Sequence, residues 1–268
     1  MKAGQQKTSR AGAGFTLVEL LAVIAIVSIL AALLTTGLSN ARVAADAAVC
    51  TSNLRQIGLA LQLYLTDNST FPLAQESGTH WAQRFKAYTN EEWPETDYLS
   101  DTANSSKIGI YRCRGYVRIN GKYVNISDGT SAYVSGAYAY NISGLNQMEW
   151  TGLGGGGRSF NLGGVPESEV VNPAGMLAFG DAVFTLGVGN SGRGFCLGVE
   201  DLGFGMSMPE LIAASATVIK RRHLARWTSS YVDGHVESLS TEELFDRQAE
   251  GRLRKWNRDN LPHKELLQ

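Results

Sequence analysis

Residues 14–34 read GFTLVELLAVIAIVSILAALL. Between Phe15 and Leu38 the only charged side chain is Glu19, and the only hydroxyls belong to Thr16, Ser28, Thr35 and Thr36. A helix needs about 20 apolar residues to cross a hydrocarbon core of about 30 Å. In that form it satisfies its own backbone polar groups inside lipid. Buried helices of soluble proteins are shorter and keep a polar face. The run therefore predicts a transmembrane helix over 15–38, with one acid close to its start.

The residues before it, MKAGQQKTSRAGAG, hold Lys2, Lys7 and Arg10 and no acid, whereas Arg42 and Asp46 cancel on the far side. The positive-inside bias keeps the N-terminus cytoplasmic and sends the remainder across. A secretory signal places its small-residue cleavage site after an apolar core of about 7–15 residues. Here the small residues, Gly12-Ala13-Gly14, precede the apolar run. A cut there removes the basic leader and leaves the hydrophobic helix on the mature chain.

With that order of features, GFTLVELL resembles the processing signature of type IV prepilins and type II secretion pseudopilins. The resemblance implies cleavage between Gly14 and Phe15 by a prepilin peptidase, followed by N-methylation of Phe15. It implies a structural subunit of a pilus-like or pseudopilus fibre, with other pilin subunits, an inner-membrane assembly platform and membrane lipid as partners. Glu19 matches the family's acid five residues into the mature chain. A carboxylate inside a membrane helix is unfavourable by a few kcal/mol and is usually paired. In a fibre, Glu19 of one subunit can face the Phe15 amine of its neighbour, which neutralises both charges and sets the axial stagger. The competing reading is an acid that snorkels to the headgroups.

Beyond Leu38 the helix is expected to continue. In residues 40–68, Cys50, Leu54, Ile57, Leu61 and Tyr64 alternate at steps of four and three, one apolar stripe on an amphipathic helix. The expected division is a leader over 1–14, a transmembrane and fibre-core helix over 15–38, an amphipathic continuation over 39–66, and a globular head over 67–268. The fold class is α+β, a long helical spine packed on an antiparallel sheet, as the pilin resemblance also implies.

Within the head, THWAQRFKAYT (79–89) predicts a short surface helix capped by Thr79. YVRINGKYVNI (116–126) predicts a hairpin through Asn120-Gly121, and RWTSSYVDGHVESL (226–239) a second one through Asp233-Gly234. SAYVSGAYAYN (131–141) and MLAFGDA (176–182) read as strands. Capping boxes are expected from Ser207 to Glu210 and from Ser240 to Glu243, the latter opening a terminal helix over 240–256. The Gly-rich stretch from Gly152 to Gly164 lacks the GK[ST] of a phosphate cradle and reads as a loop.

His223, nine residues, then Asp233-Gly234 resembles the H-x9-DG C-terminal motif of prepilin-like proteins with large heads. CTSNLRQIGLALQLY (50–64) and AYAYNISGL (137–145) resemble stretches of that group, while YRCRGY departs from the Cys-Pro usual there. The structural reading is a tight Asp-Gly turn that His223 braces. The chemical alternative gathers His223, Asp233 and His235 around a metal or as base and orienter. The structural one is preferred, and no metal or catalytic set is assigned. Neither Gly-x-Ser-x-Gly nor HExxH occurs.

The net charge of −1 with 18% charged residues argues against a nucleic-acid partner. The three cysteines, Cys50, Cys113 and Cys196, lie on the oxidising side of the membrane and form no CxxC pair. Cys50 faces the head from the apolar stripe, and Cys113 sits in the alternating IYRC segment. A Cys50–Cys113 disulfide is expected, with Cys196 as the competing partner. Heads of related pseudopilins often hold calcium in acidic loops, which makes Asp128, Glu149, Glu200 and Asp201 candidate ligands. The alternative function is a membrane-anchored extracytoplasmic module that binds a glycan or polymer through aromatics such as Trp93 or Trp150. An enzyme is not expected.

Overall fold

The structure is a computed structural model. It describes residues 16–73, 75–76, 79–91, 109–118, 124–127, 132–135, 137–142, 144–145, 151–154, 163–181 and 222–267. The chain forms two compact units, Met1–Arg42 and Val43–Gln268. The elements, in order, are α1 (Leu17–Asn68), β1 (Gln75–Glu76), β2 (Thr79–His80), α2 (Trp81–Arg84), α3 (Lys86–Thr89), α4 (Arg114–Arg118), β3 (Val124–Ser127), β4 (Ala132–Ser135), β5 (Tyr138–Tyr140), β6 (Leu177–Asp181), β7 (Trp227–Tyr231), β8 (Val236–Leu239), α5 (Thr241–Phe245) and α6 (Glu250–Leu253). The layout is a long N-terminal helix followed by a four-stranded antiparallel sheet, which is the α+β class expected.

No proline interrupts α1. In the first unit its large apolar side chains, from Leu17 to Leu38, are exposed. Ser28 returns its hydroxyl to the carbonyl of Ile24 at 2.6 Å, so that it offers no free polar group to an apolar medium. The helix stops where Ser69 turns left-handed (φ 55°) and its N–H closes on Leu65 O at 2.7 Å. Phe71 then bonds to Val165 across an extended segment.

In the second unit the part of α1 from Val43 buries Cys50, Leu54, Ile57, Leu61 and Leu65, the stripe that 3.6-residue periodicity demands. The stripe packs into a cluster with Phe71, Trp81, Phe85, Tyr111, Tyr138, Tyr140 and Phe179. Trp81 and Tyr140 both lie against Phe179, with ring centroids 5.0 and 5.1 Å away.

The sheet has the order β5-β6-β7-β8. A second cluster, Ala139, Leu177, Trp227, Tyr231, Leu239, Leu244, Phe245, Leu253 and Trp256, gathers the alternate residues and the C-terminal turns. Both faces of the sheet are therefore covered, and β5, β6 and β7 are buried throughout. The β6–β7 pairing shifts register between Leu177 and Phe179, which breaks the alternation there. Ala178 and Phe179 consequently join the same cluster.

Several local expectations are corrected. Thr79 does not cap a helix: it pairs with Glu76 in a two-residue ladder, and the surface helix is two short pieces. Tyr116–Arg118 is helical rather than the first arm of a hairpin, while Asn120-Gly121 lies outside the described residues. Residues 131–141 divide between β4 and β5, which belong to different sheets. The expected terminal helix is broken into α5, α6 and a 3-10 turn at Arg254–Trp256. That break lets Leu244, Phe245, Leu253 and Trp256 all reach one cluster. The capping box at Ser240 and Glu243 is present. The Ser207 box lies outside the described residues.

The β7–β8 hairpin turns at Asp233-Gly234, with Gly234 at φ +89°. This turn lies against α1. Gln62 Nε2 donates to Val232 O, and a Cβ added to Gly58 would stand 2.8 Å from Ser230 Oγ and 3.3 Å from Gly234 Cα. Gly58→Val is expected to lower stability by about 1–3 kcal/mol through overpacking. The check is a thermal melt of the purified full-length chain in detergent. An unchanged melting temperature would show that helix and turn are not in fixed contact.

Candidate functional site

Two regions carry the residues of interest, and each belongs to one unit. In the first, the described residues start at Thr16, so Gly14 and Phe15 lie outside them. Thr16 and Glu19 form a reciprocal cap. The Glu19 carboxylate accepts from Thr16 N–H at 2.9 Å and from its hydroxyl at 2.8 Å, and Glu19 N–H donates back to Thr16 Oγ1 at 3.3 Å. Thr-x-x-Glu at a helix start satisfies orphan N–H groups. Within one chain, Glu19 is thus an N-terminal cap, a role that the TLVE spacing could have disclosed.

In the second unit a charged cluster is buried beside the cysteines. Asp181 ends the buried strand β6, and Arg222-His223 lie just before β7, which they enter through Leu224 and Ala225 in left-handed conformation. The Asp181 carboxylate accepts from Arg222 Nη2 and His223 Nδ1, each at 2.7 Å, and from Thr228 N–H at 2.8 Å. Burial pushes this acid up, but Arg222 and His223 outweigh that and hold it below the usual carboxylate range. Arg222 also donates to Ala137 O at 2.6 Å and places its guanidinium 5.0 Å from the centre of the Tyr116 ring.

Cys113 is the cluster's other end. Its Sγ lies 3.2 Å from His223 Nε2, 3.3 Å from Arg222 Nε and 3.4 Å from Tyr116 N. Cys50, on the stripe of α1, is joined to Cys113 in a disulfide with the Cα atoms 5.3 Å apart. Gly115 is required by this packing, since a Cβ there would stand 2.8 Å from Arg222 O. The same requirement makes YRCRGY helical at its end: α4 starts beside Cys113 and carries Tyr116 under Arg222. Cys113 consequently lies in a loop before α4 and not in a strand.

The H-x9-DG residues are not one site. His223 Nδ1 faces Asp181 and, at 3.5 Å, Thr228 Oγ1, and its Nε2 lies against Cys113 Sγ, so it braces the approach to β7 rather than the Asp233-Gly234 turn. Asp233 caps that turn through His235 N–H at 3.1 Å and pairs with His235 Nδ1 at 2.6 Å, while the His235 ring stacks on Tyr231. Asp181, Arg222 and Gly115 are the residues that motif reading missed. Arg222 was adjacent to a residue already singled out, whereas nothing local marks Asp181. Cys196, Asp128, Glu149, Glu200, Asp201, Trp93 and Trp150 lie outside the described residues.

Asp181→Ala leaves Arg222 buried without its carboxylate and is expected to cost about 3–5 kcal/mol at neutral pH. The acid's native value is depressed, so its stabilisation is complete above the ordinary value of 3.8 and is lost as pH falls through the native one. Denaturant titrations at pH 7 and pH 3 should show the gap between wild type and mutant shrinking in acid. A gap independent of pH would mean that the ion pairs contribute nothing.

The model of the prokaryotic N-terminal methylation motif matches residues 9–35. No curated protein and no solved structure matches the chain. The matched segment holds Arg10, the Gly14-Phe15 junction, Glu19 and the apolar run as far as Thr35. That motif supports a type IV pilin-like precursor, and it points to a structural subunit rather than an enzyme.

Proposed function

We propose that the chain is cleaved between Gly14 and Phe15 by a prepilin peptidase, N-methylated on Phe15, and assembled through its N-terminal helix. The product is a type IV pilus-like or type II secretion pseudopilus fibre. The observation that carries this reading is the methylation motif at residues 9–35, which overlaps the part of α1 whose large apolar side chains, from Leu17 to Leu38, are exposed. Before assembly the helix anchors the chain once in the inner membrane, with the N-terminus cytoplasmic and the head periplasmic or extracellular. In the fibre the same surface packs on other subunits, delivered by an inner-membrane assembly platform.

The cap between Thr16 and Glu19 fits this sequence of events. It keeps the carboxylate hydrogen-bonded inside one chain, in the apolar setting where a bare acid is least tolerated. Cleavage creates an amine on Phe15, one turn from Glu19, and a neighbouring amine can then replace the capping bonds. In the head, the Cys50–Cys113 bridge closes a loop of 63 residues and fastens the helix to its own domain. Such a staple is worth roughly 2–4 kcal/mol. The His223 and Asp233-Gly234 motif serves packing.

Intact-mass spectrometry of the membrane-extracted protein should give a chain beginning at N-methyl-Phe15; one that retains Met1 would refute the processing. Glu19→Ala should leave cleavage and insertion intact and abolish incorporation into fibres, scored by electron microscopy and fibre shearing. Normal fibre yield from this variant would remove the pairing role. Peptide mapping without reduction should recover Cys50 linked to Cys113, and a Cys50–Cys196 peptide would displace that assignment.

A further inference from the structure

The disulfide shares its pocket with an imidazole whose tautomer the fold selects. The Asp181 carboxylate, which also accepts from Arg222 and Thr228 N–H, lies 2.7 Å from His223 Nδ1, so the nitrogen is the donor in that bond. Nε2 then presents its lone pair, and 3.2 Å in front of it is Cys113 Sγ. A disulfide sulfur has no proton to give that lone pair. Orientation of a histidine by a carboxylate on its far nitrogen is the arrangement that supports metal ligation.

The ligand atoms are neighbours, although in the disulfide the two sulfurs are bonded to each other and reach zinc-ligand spacing only once that bond is reduced. Cys50 Sγ, Cys113 Sγ and His223 Nε2 all lie within 4.8 Å of one another. Zinc bonds of about 2.3 Å to sulfur and about 2.0–2.1 Å to nitrogen place tetrahedral ligand atoms roughly 3.5–3.8 Å apart. The three residues come from α1, the loop before α4 and the approach to β7, all anchored in one core. Charge also closes: two thiolates balance Zn2+, and Arg222 balances Asp181. The N–H groups of Arg222 Nε and Tyr116, both directed at Cys113 Sγ, suit a metal-bound thiolate better than a neutral disulfide sulfur.

We propose that the dithiol form of the head binds Zn2+ through Cys50, Cys113 and His223 Nε2, with Asp181 as the positioning carboxylate. The zinc centre and the disulfide are then alternative states of one site. Zn2+ replaces one proton on each thiol, and both protons pass to solvent, so the binding step needs no oxidant. Three protein ligands leave the fourth position for water.

The test uses the full-length chain in detergent. It is unfolded in guanidinium with a trialkylphosphine, which takes the disulfide to two thiols and is itself converted with water to the phosphine oxide. It is then refolded without oxygen, with Zn2+, with Co2+ or with neither. The expected result is one Zn2+ per refolded chain and a thiolate-to-cobalt absorption band that Zn2+ displaces. His223→Ala should abolish the band, Asp181→Asn should weaken Co2+ binding about 10–100-fold, and His235→Ala should leave it unchanged. Circular dichroism of each oxidised variant separates ligand loss from failure to fold. Refolding only in the presence of zinc also supports the site. A chain that refolds reduced but takes up no metal, that fails to refold with zinc, or that binds Co2+ equally without His223 overturns it.

Discussion

The interior of the head is organised by one buried carboxylate. Asp181 receives three hydrogen bonds, from a guanidinium, an imidazole and a backbone N–H, and each donor belongs to the stretch that leads into or starts β7. Burying an acid without partners is prohibitive; with these it is a registration device. It fixes where the chain re-enters the sheet beside β6, and through Arg222 and His223 it fixes what faces Cys113. The disulfide, the position of α4 and the absence of a side chain at Gly115 follow from that placement.

The features that were legible in the sequence are those set by short-range chemistry. The stripe on α1 is a matter of 3.6-residue spacing, and Asp233-Gly234 between alternating residues encodes its own turn. Ser240 and Glu243 cap a helix three residues apart. The N-terminal segment was the clearest, because its order of charge, small residues and apolar run is linear information.

What could not be read depends on contacts across long separations. The alternation in YRCRGYVRI suggested a strand, but packing beneath Arg222, more than a hundred residues later, makes Tyr116–Arg118 helical. The periodicity of residues 240–256 promised one helix, yet Arg252 reaches back to Glu242 O at 2.9 Å and Asp246 at 2.8 Å, which folds α6 onto α5. His223 was singled out by spacing from Asp233, whereas its actual partner lies 42 residues upstream in β6. A motif can thus mark the right residue while concealing the contact that makes it necessary.

Along its buried stripe α1 is held to the sheet domain by apolar packing, covalently at Cys50 and, within four turns of that bond, by the hairpin at Gly58–Gln62. In the fibre proposed above, a subunit would be pulled by its helix and resisted by whatever its outer domain touches. Under such tension Val43 and Asp46 are the first buried side chains to meet the load, and the covalent bond at Cys50 takes it next, ahead of the hydrogen bonds and apolar contacts further along. Those contacts are then spared the shear that would peel a helix from a sheet one turn at a time. Rupture would require either a broken sulfur bond or unravelling of the 63-residue loop that it closes.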